Sequence, residues 1–455
     1  MLVQGKMRTQ NFKAHSISGQ FCSLVGCCTP YQFVLDRYLY TEFFFMRQYH
    51  FATLSNGIRV AHNPVGTSKI VHCAIMLDIG SRDETLANHG IAHFWEHMAF
   101  KGTRKRNAYH IISRLESLGG ELNAFTDKEK ICFYASLRDA YFERAIELLA
   151  DITFHSQFPA AHIQRERKVI LEEISMYHDD PEDSLQDEFD GLVFKGHSLG
   201  MNILGTENSI RSFQKKDFQQ FIDEHLDTSR IVVSCVGDLP FEKVVATVEK
   251  YVGHIRPRHS AKKRKKFDYY RPAERTVVRA VKQARCAYGR PAYSYQDEQR
   301  GLFFMLTNIL GGPGLNSRLN LALREKYGFV YQVGAQFVPF TDTGLFVISF
   351  GTEPQQLERS LKLVRQELLK MVEQPLGKRQ LSAAREQLVG QIAMAEESNL
   401  GCMMMMARNL LDLGRVVTFD EMYNRVRNTT PEKLRKMAEE MFDPRMFSCL
   451  RMIPN

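Results

Sequence analysis

The chain has 455 residues, which is enough for two or more domains with hydrophobic cores. Hydrophobic residues make up 44% of it and charged residues 25%, as is ordinary for soluble proteins, and no stretch approaches the ~20 apolar residues that cross a bilayer. The net charge of +8 is uneven, because residues 255–275 hold nine lysines and arginines against two acids, and the chain outside this segment and residues 1–45 is close to neutral.

Residues 1–45 match no clear structural pattern. They contain three of the nine cysteines and a run of three phenylalanines, without the ordered basic, apolar and small-residue zones of a signal peptide. We interpret this N-terminal extension as a degenerate presequence or as the product of a start codon assigned too early, and exclude it from fold reasoning. The other six cysteines are isolated in apolar contexts, which predicts small buried side chains in a reducing compartment.

The next part of the chain has the pattern of a sheet interrupted by helices. Strands are predicted over residues 47–63, with a hairpin turn at Asn56-Gly57, and over residues 70–77, 131–137 and 230–237. Residues 90–97, Gly-Ile-Ala-His-Phe-Trp-Glu-His, lie between the second and third of these strands and are the most informative segment.

His93 and His97 are four residues apart, so on a helix they share one face, with Glu96 projecting beside them. Two neutral imidazoles on one face can both bind Zn²⁺, and a neighbouring carboxylate can act as a general base toward water. The order His-x-x-Glu-His is the inverzincin signature. The alternative is a chance pattern on a solvated helix, against which Phe94 and Trp95 indicate a helix that belongs to the core.

A catalytic zinc needs a third protein ligand, and the best candidates follow in a predicted helix at residues 166–176. Glu166 and Glu173 are seven residues apart, two helical turns, and border an apolar stripe. The alternative is an ordinary charged helix whose glutamates pair with the neighbouring basic residues, Arg165, Arg167 and Lys168.

Residues 256–275 are predicted to form a basic interdomain linker. The run Lys262–Lys266 resembles a nucleic-acid patch, but it lies between two strand-rich segments and lacks the aromatic residues of a nucleic-acid-binding module. We therefore expect a solvated linker.

The last part of the chain repeats the layout of the first. A strand is predicted over residues 276–288, a helix over 299–310, a strand pair over 330–337 and 344–350, and helices from 355 to 441. It contains no His-x-x-Glu-His, so it is not expected to bind zinc. Its glycine-rich segment at residues 311–319 lacks the Gly-Lys-Ser/Thr ending of a phosphate loop, and Met403–Met406 is expected to pack in a core or an interface.

Together these segments resemble the pitrilysin/insulinase family of zinc metallopeptidases. The similarity is greatest to its short, two-domain branch, which includes bacterial processing-peptidase-like proteins and the catalytic subunit of the mitochondrial processing peptidase. The resemblance covers the chain from about Phe51 onward. It rests on four segments in order, residues 90–103, 119–126, 166–174 and 324–331.

The resemblance implies a role for each matching residue. His93, His97 and Glu173 would bind one Zn²⁺ per chain, Glu96 would activate the water, and Glu166 would support the ligands. On the same basis, Asn123 and Ala124 would lie on an edge strand that binds extended peptides, and Arg324 and Tyr331 would reach the scissile carbonyl from the second domain. Family members usually carry threonine near Lys130, so local specificity is expected to differ here.

The fold implied is α+β, with two similar α/β domains at residues 46–255 and 276–455. Each would be a mostly antiparallel sheet packed by helices, and together they would form half of a clamshell chamber. The function implied is that of a zinc metalloendopeptidase acting on extended or unfolded peptides; the rival is a non-catalytic relative in a structural role. We expect a homodimer, or else a heterodimer with a homologous subunit lacking the motif, in the bacterial cytoplasm, with the mitochondrial matrix and the periplasm as alternatives.

Overall fold

The computed structural model describes residues 47–261 and 263–455. The N-terminal extension lies outside these residues, as does Lys262 in the basic run. Residues 48–455 form one compact unit. Within the described part of the chain, no helix is long and apolar enough to span a membrane.

A six-stranded sheet forms the centre of the N-terminal half, which we define as residues 48–255. Its strand order is β1-β2-β6-β3-β5-β4, and all neighbours are antiparallel except β2 and β6. The strands are β1 His50–Thr53, β2 Arg59–Pro64, β3 Ile70–Leu77, β4 Glu121–Thr126, β5 Ile131–Arg138 and β6 Ile231–Gly237. The helices are α1 Ile91–Ala99, α2 Ala108–Glu116, α3 Phe142–Phe154, α4 Ala160–Asp179, α5 Pro181–Val193, α6 Glu207–Ser212, α7 Lys215–His225 and α8 Phe241–Val252.

A five-stranded sheet forms the centre of the C-terminal half, residues 274–455. Its order is β7-β11-β8-β10-β9, and only β7 and β11 are parallel. The strands are β7 Glu274–Arg279, β8 Ala284–Ala292, β9 Val330–Pro339, β10 Gly344–Thr352 and β11 Ser448–Pro454. The helices are α9 Arg300–Gly311, α10 Leu357–Glu373, α11 Lys378–Glu397, α12 Asn399–Leu413, α13 Phe419–Arg427 and α14 Pro431–Met441, and a π-helical segment covers Asn320–Glu325.

Without its edge strand β1, the first sheet has the same strand order as the second. Strands β2, β3, β4, β5 and β6 correspond in turn to β7, β8, β9, β10 and β11. This confirms the predicted fold class of two sheets packed by helices. The prediction of a single strand over residues 276–288 is wrong, because a turn after Arg279 separates β7 from β8, and strand β11 was not predicted.

Each sheet packs on helices of its own half with one face and on a helix of the other half with its second face. Helix α12 packs on the first sheet, where Met403 and Met406 are buried against residues such as Ala74 and Val232. Helix α5 packs on the second sheet in the same way, through an apolar face that includes Phe189. The expectation that Met403–Met406 packs in a core or an interface is thus confirmed, and the halves are held together by apolar surface.

The predicted solvated linker is not fully solvated. Residues 256–261 and 263–273 contain no helix or strand, but the Arg264 side chain is largely buried. Its guanidinium donates to Asp78 Oδ1 at 2.9 Å and to both Asp83 carboxylate oxygens at 2.9 and 2.8 Å. Charges removed from water require such partners, so the basic run contributes at least one cation to the core of the molecule.

Candidate metal centre

Helix α1 carries the histidine pair, and the loop before it fixes where the helix begins. Gly90 adopts a φ of +92°, and a Cβ at this position would lie 2.7 Å from the Leu204 carbonyl oxygen, so only glycine fits. The buried Glu84 carboxyl group accepts hydrogen bonds from the backbone N–H groups of Gly90 and Ala92, each at 2.8 Å. These bonds satisfy two of the first free N–H groups of the helix.

The two faces of helix α1 differ in polarity as the sequence predicts. Phe94, Trp95 and Met98 are fully buried in the core of the N-terminal half. His93 and His97 lie on the other face, with side chains 13% and 18% exposed. Packing of the apolar face therefore aims both imidazoles toward helix α4.

Three side chains converge there, as expected for a zinc site. Glu173 Oε2 of helix α4 lies 3.9 Å from His93 Nε2 and 3.6 Å from His97 Nε2. The ligand atoms of the three side chains all lie within 4.8 Å of one another. Two imidazole nitrogens and one carboxylate oxygen are a donor set typical of catalytic zinc, so these residues fit the ion.

The surroundings of His93 favour metal binding. Burial, with the neighbouring His97, lowers the pKa of His93 to about 3, so its imidazole is neutral near pH 7. A neutral imidazole keeps the lone pair that a metal requires. His93 Nδ1 is buried and has no hydrogen-bond partner among the described residues, whereas His97 Nδ1 has one in Glu166.

Glu166 lies beside the three ligand side chains. Its Oε2 is 3.4 Å from His97 Nδ1, and its Oε1 is 2.9 Å from the Lys101 ammonium. A carboxylate on the second ring nitrogen sets the orientation of a metal-binding histidine and raises its basicity. Arg167, one of the neighbouring basic residues that could have paired with these glutamates, instead donates to Gln164 and to the Ile210 and Phe213 carbonyl oxygens.

Glu96, the proposed base, is held by a strand of the sheet. The Thr126 hydroxyl at the end of β4 donates to Glu96 Oε2 at 2.6 Å. Burial raises the pKa of Glu96, and the Thr126 hydrogen bond acts in the opposite direction. A raised pKa suits a carboxylate that must accept a proton and return it near neutral pH.

Strand β4 is an edge of the first sheet, as the resemblance implies. Asn123 and Ala124 pair with Tyr134 and Phe133 of β5 on one side, and the described residues place no strand on the other side. An edge strand offers free N–H and C=O groups to an extended peptide. Because β4 ends at Thr126, a peptide bound along it would run past Glu96.

Arg324 and Tyr331 lie beside each other. The Arg324 guanidinium carbon is 5.6 Å from the centre of the Tyr331 ring, and the Tyr331 side chain at the start of β9 is 82% exposed. Among the described residues, neither makes a hydrogen bond or ion pair with His93, His97 or Glu173. Their assignment to the site remains a prediction.

Sequence reasoning missed three residues that build the site, Glu84, Lys101 and Thr126. Lys101 and Thr126 both lie inside segments quoted for the resemblance, residues 90–103 and 119–126. Glu84, six residues before Gly90, had only the weak signal of an acid ahead of a helix.

The comparisons agree with this geometry. Residues 59–207 match the family model described as insulinase (peptidase family M16), and residues 212–388 match that of the peptidase M16 inactive domain. An uncharacterized zinc protease YmxG of Bacillus subtilis is 31% identical over 390 residues, covering 86% of this chain and 95% of that protein. An uncharacterized zinc protease SCO5738 of Streptomyces coelicolor is 33% identical over 404 residues, covering 86% and 87%.

Solved structures show the same fold. A protease from Helicobacter pylori has a TM-score of 0.82 at 21% identity, covering 90% of this chain and all of that one. A peptidase M16 inactive domain from Pseudomonas fluorescens also has a TM-score of 0.82, at 19% identity, covering 90% and 98%. The fold and the His-His-Glu group are those of a metallopeptidase-type protein. The chain belongs to the insulinase family, peptidase family M16, and the predicted resemblance is confirmed.

Proposed function

We propose that this protein is a zinc-dependent metalloendopeptidase that hydrolyses peptide bonds in extended or unfolded peptides. The observation that supports this most is the convergence of His93, His97 and Glu173, with Glu96 held beside them. Zinc bound there supplies a Lewis acid, which lowers the pKa of water and polarises a carbonyl oxygen.

Glu96 performs the proton transfers. Its Oε2 accepts the Thr126 hydrogen bond, which leaves Oε1 to take the proton of the attacking water. The same carboxyl group then delivers that proton to the leaving amine. Glu166 keeps the His97 ring oriented throughout, because it faces Nδ1 while Nε2 is turned to the metal position.

Strand β4 binds the substrate in this proposal. An extended peptide adds to the edge through main-chain hydrogen bonds, which are largely independent of sequence. A folded protein cannot present its backbone in this way, so the expected substrates are unstructured. Five described cysteines, Cys73, Cys132, Cys235, Cys286 and Cys449, are buried free thiols, which is in keeping with the proposed cytoplasmic location.

Glu96→Gln tests the proposal with a quenched unstructured peptide. Glutamine keeps the size of the side chain and an oxygen for Thr126 but cannot accept a proton. We expect full zinc content and hydrolysis reduced roughly 10²–10⁴-fold, the usual contribution of a general base, and no hydrolysis by wild type after chelation. Near-normal turnover by the variant would refute the role of Glu96. A zinc-loaded wild type that hydrolyses no peptide would favour a non-catalytic subunit.

A further inference from the structure

The turn between β4 and β5, residues Asp127–Lys130, is tied to the C-terminal half of the molecule. All four of its side chains are charged, and each has a partner of opposite charge. The ion pairs are Asp127 with Arg408, Lys128 with Asp190, Glu129 with Arg82, and Lys130 with Asp78 and Asp412.

Helix α12 supplies two of these partners from one face, since Arg408 and Asp412 are four residues apart. Asp412 Oδ1 lies 2.7 Å from the Lys130 ammonium, which is almost completely buried. The turn between β9 and β10 adds a third tie, because Thr341 donates from its backbone N–H and its hydroxyl to Glu129 Oε2, at 3.0 and 2.9 Å. The position of the β4–β5 turn therefore depends on the C-terminal half.

Arg408 has contacts on both sides of Thr126. Its Nη2 donates to Asp127 Oδ2 at 2.7 Å, and its guanidinium carbon lies 5.4 Å from the centre of the Phe125 ring. A planar guanidinium can hydrogen-bond at its edge and stack with its face, which an ammonium cannot. Thr126, between the two contacted residues, donates to Glu96.

We propose that Arg408 is a positioning residue for Glu96 and acts through Thr126. By holding residues 125 and 127, it keeps the Thr126 hydroxyl at the distance that orients the Glu96 carboxylate, and it fixes the end of the peptide-binding strand. The inference rests on the proposed function of Glu96. The Arg408 side chain is one-third exposed, so its ion pair should contribute little to global stability.

Arg408→Gln tests this role, with Arg59→Gln as the matched control. Arg59 Nη1 donates to the Leu410 carbonyl oxygen at 2.6 Å, so it links the same helix to the same sheet without contacting the turn. With zinc content unchanged, we expect kcat to fall roughly tenfold in Arg408→Gln, since small displacements of a catalytic group are costly, and to change less than about twofold in the control. Asp127→Asn breaks the same ion pair from its other side and should reproduce the loss.

A double-mutant cycle separates positioning from a general structural effect. Thr126→Val removes the hydroxyl through which Arg408 is proposed to act. In that background, Arg408→Gln should change kcat by less than about twofold, because there is no hydrogen bond left to position. Losses that simply multiply in the double variant would overturn the proposal.

Hydrogen–deuterium exchange gives a readout that does not depend on hydrolysis. In the metal-free protein, amides of residues 121–127 should exchange roughly tenfold faster in Arg408→Gln than in wild type or Arg59→Gln. Unchanged exchange in this strand would also overturn the proposal. If wild type hydrolyses no peptide, the proposed function fails, and the exchange experiment still decides whether Arg408 holds the strand.

Discussion

Two glutamates of helix α4 face different atoms of the same histidine. Glu173 approaches His97 Nε2 and Glu166 approaches His97 Nδ1. Their seven-residue spacing places both on one face of a helix, which is visible in the sequence. The sequence alone does not show which glutamate is the ligand and which supports it, because that depends on how helix α4 crosses helix α1. This assignment came from the family resemblance.

Tyr331→Phe tests whether the second half takes part in the reaction. Tyr331 is 82% exposed and so is not a core residue, and the variant should keep its melting temperature. If the phenol stabilises the developing oxyanion, kcat should fall roughly 10²-fold, about 3 kcal/mol, with KM little changed. Tyr327→Phe, an exposed tyrosine four residues earlier, is the control. An unchanged kcat in Tyr331→Phe would remove this residue from the site.

Glu84, at the start of helix α1, should make the stability of the protein depend on pH. Burial raises the pKa of Glu84 to about 8, so the folded state favours its protonated form relative to the unfolded chain. Its contribution to stability is therefore complete below the unfolded pKa near 4.5 and is lost as the pH rises through about 8.

Glu84→Gln is neutral at every pH and should remove that dependence. We expect urea unfolding of the metal-free wild type to lose more stability between pH 5 and pH 8 than the variant does, by about 1 kcal/mol or more. Metal-free protein is needed because zinc binding is itself pH-dependent. Parallel curves for the two proteins would show that Glu84 keeps an ordinary pKa in the fold.

Elements with a strong local pattern could be predicted from the sequence, and those defined by distant partners could not. Strand β3 has the bounds that its apolar run predicts, Ile70–Leu77. Strand β11 was missed because it enters the second sheet between β7 and β8, more than 150 residues earlier in the chain. Helix α12 has an apolar face, but nothing local shows that this face packs on the sheet of the other half.

In the whole molecule, each half contributes one helix to the sheet of the other half, and this packing joins the halves into one unit. Helix α5 packs on the second sheet and helix α12 on the first. Arg264 adds buried ion pairs with Asp78 and Asp83, so this one residue of the basic run is paired inside the molecule. Apolar packing on this scale, more than surface charge, is expected to keep the halves in a fixed orientation.

A homodimer is the predicted assembly. Long members of the family join four such domains in one chain, whereas the described residues of this chain form two sheets, so a second copy would complete the chamber. Light scattering on the pure protein should give twice the chain mass of 52.5 kDa. A heterodimer with a homologous subunit lacking the motif is the alternative, and a stable, fully active monomer would contradict both.

The most direct test of the zinc site compares two adjacent glutamates of helix α4. Glu173 faces both histidines, while Glu172 next to it is exposed on another face of the helix. Metal analysis of the purified proteins should find one zinc per chain in wild type and in Glu172→Gln, and little or none in Glu173→Gln, which loses one of three ligands. Full zinc occupancy in Glu173→Gln, or its loss in Glu172→Gln alone, would contradict the assignment of His93, His97 and Glu173 as the zinc ligands.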